Sequence, residues 1–141
     1  MAGYSGTPLS KKLGLGPRAR VCLVRAPASF ARSLGKLPDG VSLKDGMRAK
    51  GPFDAVVLFA GSASELGRDL PIMKGKLDKN GGLWIGWRKK VPTGGAAAIA
   101  TDLGEATVRT AGLAAGLVDN KVCALDDTWS GLRFVYRLSD R

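Results

Sequence analysis

The clearest element in the sequence is an apolar run, FDAVVLFA, at residues 53–60. A run of this kind is typical of a strand that is covered on both faces, as in a parallel sheet flanked by helices. Two further runs, RVCLV at 20–24 and LWIGW at 83–87, have the same character. The sequence therefore predicts a buried sheet between two layers of helix.

Helical spacing of apolar residues predicts four helices between these strands, at about residues 7–13, 28–34, 62–77 and 102–115. Pro71 lies inside the third and should kink or split it. Asp102 is the predicted N-cap of the fourth, with Glu105 as its capping-box partner. Glycines 14 or 16, 35 and 116 are expected to end the first, second and fourth helices.

Further strands are predicted at 41–43, 117–125 and 132–138, and DDTWSG should join the last two as a hairpin. DKNGG at 78–82 is predicted to be a turn. Alternation of helices and strands favours a single α/β domain over residues 1–141. Its sheet should be doubly wound and mostly parallel, with a C-terminal antiparallel hairpin.

This element order resembles the Rossmann-like fold of S-adenosylmethionine-dependent methyltransferases. The resemblance implies that residues 53–60, residues 83–87 and the terminal pair are the fourth to seventh strands of that fold. The part before residue 53 is too short for three full strand–helix units.

Composition excludes several chemistries. The chain contains no histidine, which removes Ser–His and Cys–His nucleophile schemes and the commonest metal ligand. Cys22 and Cys123 lie in apolar runs and have no metal-binding spacing, so no metal site is predicted. The first residues have no apolar core of a secretion signal, and a cytoplasmic location is expected.

The formal net charge is +10, which predicts attraction to phosphate or other anions. The positive residues are scattered, so a solvated basic surface is the competing interpretation. The expected partners are an anionic small molecule or nucleic acid, with no membrane.

Ligands of doubly wound sheets bind beyond the carboxyl ends of the strands. Gly61 and Ser62 precede a helix and are candidates for anion binding through backbone N–H groups. Trp87 at a strand end is a candidate aromatic contact. The full set of candidate ligand-binding residues is Arg25, Gly61, Ser62, Trp87, Arg88, Lys89, Lys90 and Trp129.

The turn after the first strand does not have the features of a cofactor site. A dinucleotide or S-adenosylmethionine site needs glycines there for a tight turn and close backbone approach. The chain has VRAPASF, with Arg25 in place of an acid and Pro27 in place of a glycine. Asp45 has the spacing of a ribose-binding acid but is as readily a turn former. No cofactor is predicted.

The start GYSGTPLSKKLGL, the segment LWIGWRKK and the ending LAAGLVDNKVCALDDTWSGLRFVYRL resemble a bacterial family known as domain of unknown function 3052. The resemblance implies a methyltransferase-related fold and no established activity. The positions that match are Gly3 to Pro8, Lys89, Lys90 and Thr128 to Gly131.

Three functions fit these observations. The first is a non-catalytic Rossmann-like module that binds an anionic ligand or a partner. The second is a divergent S-adenosylmethionine-dependent methyltransferase, and the third a nucleic-acid-binding accessory protein that uses a tryptophan beside Arg88–Lys90.

Overall fold

A computed structural model describes residues 8–89 and 102–141. Its helices are α1 (Leu9–Lys12), α2 (Phe30–Leu34), α3 (Ala63–Gly75) and α4 (Glu105–Ala114), followed by a short 3₁₀ turn at Leu138–Asp140. Its strands are β1 (Arg20–Val24), β2 (Ser42–Asp45), β3 (Phe53–Phe59), β4 (Leu77–Arg88), β5 (Leu117–Ala124) and β6 (Trp129–Tyr136).

The six strands form one sheet in the order β2-β1-β3-β4-β6-β5. Strands β1 to β4 pair in parallel, and β6 pairs antiparallel with both β4 and β5. The chain moves outward from β1 to β2 and then returns to place β3 on the other side of β1. The prediction of a doubly wound, mostly parallel sheet with a C-terminal antiparallel hairpin is therefore confirmed.

Two apolar layers cover the sheet. One contains Leu66, Leu70 and Met73 of α3 with Val108 of α4. The other contains Leu13, which follows α1, together with residues of α2. Alternate residues of each central strand point into opposite layers, as the period of two requires. Burial on both faces explains why the central strands are continuous apolar runs.

Both tryptophans of LWIGW are in the core. Trp84 is fully buried and its indole N–H donates to the carbonyl of Leu13, 3.3 Å away, which ties the end of α1 to the sheet. Trp87 is 6% exposed and lies in the opposite layer, against α3 and α4.

The absence of a side chain at Gly86 makes room for neighbouring side chains. A Cβ atom at Gly86 would lie 2.8 Å from Leu125 Cδ1 and 3.4 Å from the ring of Phe59. The missing side chain therefore makes room for Leu125, which precedes the β5–β6 turn.

Helix α3 is continuous from Ala63 to Gly75, so of the two predicted effects of Pro71, a kink or a split, the split does not occur. Pro71 cannot donate a hydrogen bond to the carbonyl of Gly67, four residues earlier. Both residues are exposed, and water can therefore hydrate that carbonyl without loss of the helix.

DKNGG lies inside β4 and does not end it, which corrects the predicted turn. The β3–β4 pairing slips here, because Phe53 pairs with Leu77 while Ala55 pairs with Gly82. The extra residues form a bulge in which Asp78 accepts a hydrogen bond from the N–H of Asn80. These turn-forming residues therefore produce a bulge within one strand and not a turn between two elements.

Helix α4 begins at Glu105 with Gly104 as N-cap, so the predicted Asp102–Glu105 capping box is wrong. The N–H of Gly104 donates to the Thr107 hydroxyl at 2.7 Å. Asp102 instead accepts a hydrogen bond of 2.8 Å from the N–H of Ala63, in the first turn of α3. A carboxylate placed outside its own helix thus caps a neighbouring one.

No helix links β2 to β3. Residues 46–52 cross the sheet directly, with Met47 and Ala49 packed against the layer of α3 and α4. The ammonium of Lys76 donates to the carbonyls of both residues, with 2.9 Å to Ala49. These bonds fix the crossing segment to the C-terminal end of α3.

Candidate functional site

The chain reverses direction across the sheet between β1 and β3, and ligands of doubly wound sheets bind at the carboxyl side of such a point. Arg25 follows β1 here, and Ala60–Ser62 follows β3. The pairing of Val24 with Leu58 places the two strand ends side by side. This junction is the candidate functional site.

Arg25 binds carboxylates of α3. Its Nε lies 3.1 Å from Glu65 Oε1, and its second nitrogen pairs with Asp69 Oδ2. The Asp69 side chain is only 3% exposed and is also 3.0 Å from Arg68. Desolvated carboxylates require such partners, so Arg25 neutralises charge inside the fold.

The backbone of Arg25 has φ of +56°, a left-handed conformation that glycine adopts most readily. A side chain is retained at this position despite that cost. The strand end therefore turns as a glycine turn does, while its side chain reaches α3.

The N-terminus of α3 is capped by groups of the protein. The N–H of Gly61 donates to Glu65 Oε1 at 3.0 Å, and the N–H of Glu65 donates to the Ser62 hydroxyl at 3.2 Å. Ala63 donates to Asp102, as described above. Gly61 and Ser62 thus lie at the predicted strand end, and their contacts are those of a capped helix start.

Glu65 is held in its charged form by these contacts. The hydrogen bond from the Gly61 N–H, and then the guanidinium of Arg25, lower the pKa of the Glu65 carboxyl below its ordinary value. The Glu65 carboxylate therefore occupies the N-terminus of α3. This is the position where the helix dipole and free N–H groups would otherwise favour binding of an external anion.

Aromatic rings fill the opposite layer beneath the same junction. The ring centroids of Phe30 and Phe59 lie 4.9 Å apart at an angle of 76°, and those of Phe59 and Trp129 lie 5.1 Å apart at 85°. Edge-to-face packing of this kind is favourable beyond the area it buries. Trp129, a candidate contact for ligand, is 8% exposed and belongs to this stack.

The basic residues after β4 contact the β5–β6 turn. The guanidinium of Arg88 lies 5.0 Å from the centre of the Trp129 ring, and Lys89 Nζ donates to the Asp126 carbonyl at 2.8 Å. Both side chains are half-buried. Lys90 lies outside the described residues.

The two aspartates of the β5–β6 turn have different surroundings. Asp126 Oδ1 accepts hydrogen bonds from the N–H groups of Thr128 and Trp129, at 2.7 and 2.8 Å. Asp127 is exposed. Asp126 is therefore the aspartate that caps the turn.

The structure thus gathers the candidate residues into two groups. Arg25, Gly61 and Ser62 meet around the start of α3, and Arg88, Lys89 and Trp129 meet at the β5–β6 turn. Trp87 points into the core beneath, at the strand end predicted for it but with little exposed surface.

Glu65 and Asp69 are the important residues that sequence reasoning missed. Asp69 lies on the apolar face of α3, three residues after Leu66 and four before Met73. A charged residue on a buried helix face requires a partner of opposite charge, and the sequence already shows Asp69 at such a position. The identity of Arg25 as the partner depends on the fold and has no local signature.

Solved structures share this fold. A S-adenosylmethionine-dependent methyltransferase from Aquifex aeolicus superposes with a TM-score of 0.63 and 13% identity, over 88% of this chain and 85% of that one. Ribosomal protein L11 methylase from Lactobacillus delbrueckii superposes with a TM-score of 0.61 and 14% identity, over 92% of this chain and 75% of that one. Magnesium protoporphyrin IX methyltransferase from Synechocystis, with bound S-adenosylhomocysteine, superposes with a TM-score of 0.57 and 12% identity, over 86% of this chain and 75% of that one.

These similarities define a methyltransferase-like Rossmann fold, and identities this low extend to the fold alone. No family model matches the sequence. No curated protein matches it either. Membership of domain of unknown function 3052 therefore stays a prediction.

The described residues, 8–89 and 102–141, also bear on metal binding and on membrane insertion. No three His, Cys, Asp or Glu side chains are grouped as metal ligands there. None of the helices in these ranges has the length and apolar character needed to cross a membrane.

Proposed function

We propose that this protein is a non-catalytic binding module on a methyltransferase-like fold, which binds an anionic ligand or a partner and does not use S-adenosylmethionine. The observation that carries the proposal is the pairing of Arg25 with Glu65 and Asp69 at the junction of β1 and β3. A ligand there would have to displace a guanidinium from two carboxylates, one of them almost fully buried.

The surroundings of this pairing support the same conclusion. Three N–H groups at the start of α3, those of Gly61, Ala63 and Glu65, already donate to a carboxylate or a hydroxyl. The stack of Phe30, Phe59 and Trp129 occupies the other layer. The VRAPASF turn offers no glycine for close approach of a cofactor.

A divergent methyltransferase is the second candidate, and the likeness to solved methyltransferases favours it. Asp45, at the carboxyl end of β2, also has the spacing of a ribose-binding acid. Fold likeness alone does not carry an activity, since one fold supports many functions.

Titration calorimetry with S-adenosylmethionine and S-adenosylhomocysteine separates the two. We expect no heat of binding at millimolar ligand, with a known methyltransferase measured in parallel as a positive control. A micromolar dissociation constant for either compound would replace the binding-module proposal with the methyltransferase.

A further inference from the structure

The positive charge is concentrated in one part of the chain. Residues 1–50 contain ten lysines and arginines against two aspartates, and therefore carry eight of the ten net charges. Residues 51–141 contain twelve cations against ten acids. A charge asymmetry of this size suggests contact with a polyanion.

Two arginines of the first part are used within the fold. Arg25 pairs with Glu65 and Asp69, as described above. Arg20 binds Asp54 through two nitrogens, at 3.0 and 3.1 Å, and lies 3.7 Å from Asp78. These two residues are neutralised locally and contribute little to an external binding surface.

Five of the other eight cations of residues 1–50 lie around α1 and α2, on one face of the sheet, and the remaining three, Lys44, Arg48 and Lys50, lie on β2 and in the segment that follows it. Lys11 and Lys36 line the same open depression of about 470 Å³, together with Asp39. The N–H of Arg18 donates to the Asp39 carbonyl, and Lys121 Nζ donates to the carbonyl of Lys12. We name the group the α1–α2 basic surface: Lys11, Lys12, Arg18, Arg32, Lys36 and Lys121.

Five of these six residues are exposed, and Lys12 is half-buried. Among residues 8–89 and 102–141, none of the six forms an ion pair with a carboxylate. Their charges are therefore available to an external anion.

The surface lies away from the junction described above. Leu15 precedes β1, and Lys36 to Asp39 precede β2, so the depression is at the amino ends of the parallel strands. Small ligands of doubly wound sheets bind at the carboxyl ends. A ligand of the α1–α2 basic surface therefore uses a different edge of the molecule.

The residue types favour nucleic acid over a protein partner. Four of the six cations are lysines, which are depleted in protein–protein interfaces. Large apolar side chains that are exposed in the described residues are Ile72, Leu113, Val122 and Leu138, and none is part of this surface. Nucleic-acid interfaces, by contrast, are polar and strongly positive.

The same observations favour the backbone of a duplex over a single strand. Binding of single strands relies on aromatic side chains that stack with bases. The three tryptophans and four phenylalanines are all buried. Contact through phosphates alone does not read sequence.

We infer that the α1–α2 basic surface binds the phosphate backbone of double-stranded nucleic acid without sequence preference. The inference rests on the proposed function, because it names the ligand class of the binding module. The sequence alone predicts nucleic-acid binding beside Arg88–Lys90, at the carboxyl edge of the sheet. The inference places it at the amino edge instead.

Fluorescence anisotropy with labelled 20-base-pair DNA and RNA duplexes, over about 50–300 mM salt, tests the inference. We expect log affinity to fall with log salt, by about 0.9 for each phosphate contact. The double variant Lys11→Gln, Lys36→Gln should bind at least about tenfold more weakly at 100 mM salt and give a shallower salt dependence.

The control is Arg48→Gln, Lys50→Gln, which removes the same charge from the segment that crosses the opposite face of the sheet. It should retain most of the affinity. Equal weakening by both double variants, absence of binding at 50 mM salt, or equally tight binding of polyglutamate of matched charge would each overturn the inference. These failures leave the calorimetric result unchanged and so are distinguishable from failure of the proposed function.

Discussion

Arg25 and Glu65 join the end of β1 to the first turn of α3 through a contact of 3.1 Å, and the same guanidinium reaches the buried carboxylate of Asp69. Ion pairs at such a position fix two elements that in a ligand-binding site would remain separate. The stability of the protein should therefore depend on residues at the place where its fold predicts a ligand.

Replacement of Arg25 by alanine should destabilise the protein. Removing one partner of a buried ion pair costs roughly 3–5 kcal/mol, and the loss here should be smaller because Arg68 still binds Asp69. Urea denaturation of Arg25→Ala, Asp69→Asn and the double variant should give a coupling energy of about 1 kcal/mol or more. Additive effects of the two substitutions would contradict a direct interaction.

Acid should weaken the fold partly through Glu65. Its pKa in the folded protein is lowered, so its contribution is complete above the unfolded pKa of roughly 4.3 and is lost as pH falls through the lower folded value. The free energy of unfolding of Glu65→Gln, measured between about pH 5 and pH 3, should therefore fall less steeply than that of the native chain. Identical slopes would show that Glu65 titrates alike in both states.

Two glycine-to-alanine substitutions should change the stability of the protein in opposite directions. A Cβ at Gly112 would lie 2.0 Å from Phe134 Cε1, so alanine should push α4 from β6 at a cost of roughly 1–3 kcal/mol. A Cβ at Gly67 in α3 meets no atom within 4 Å, and alanine there should stabilise by roughly 0.5–1 kcal/mol. Thermal unfolding of both variants checks the pair, and destabilisation by Gly67→Ala would contradict the open site.

Lys76→Met should release the segment that crosses from β2 to β3. Hydrogen bonds of a charged donor contribute roughly 1.5–3 kcal/mol, and Lys76 makes two. Trypsin should then cleave faster after Arg48 and Lys50, which lie in the crossing segment. Lys79→Met, at an exposed position in the β4 bulge, is the matched control and should leave this cleavage rate unchanged.

The sequence predicts elements better than it predicts contacts between them. Apolar runs and helical spacing locate the strands and helices because the buried face of each element imposes a regular spacing on its apolar residues. The same local view assigns Asp102 to the helix that follows it, whereas the folded chain brings that carboxylate to Ala63 in α3. DKNGG has turn chemistry, and pairing with β3 turns it into a bulge.

The candidate site shows the same limit. Arg25, Gly61 and Ser62 lie at the strand ends that the fold class predicts, because the topology sets those positions. Their partners do not follow from the sequence, since Glu65 and Asp69 meet Arg25 only after α3 has packed on the sheet. Tertiary packing decided whether these residues face solvent or one another.

The helix-free crossing from β2 to β3 has a consequence for the motions of the sheet. Within the described residues, β2 pairs only with β1, through bonds such as those from Ser42 to Ala19 and from Gly46 to Leu23. A short edge strand held on one side opens at lower free energy than the central strands. Amide deuterium exchange should therefore reach β2 first and β3 and β4 last, so that the sheet loosens from one margin while its centre stays closed.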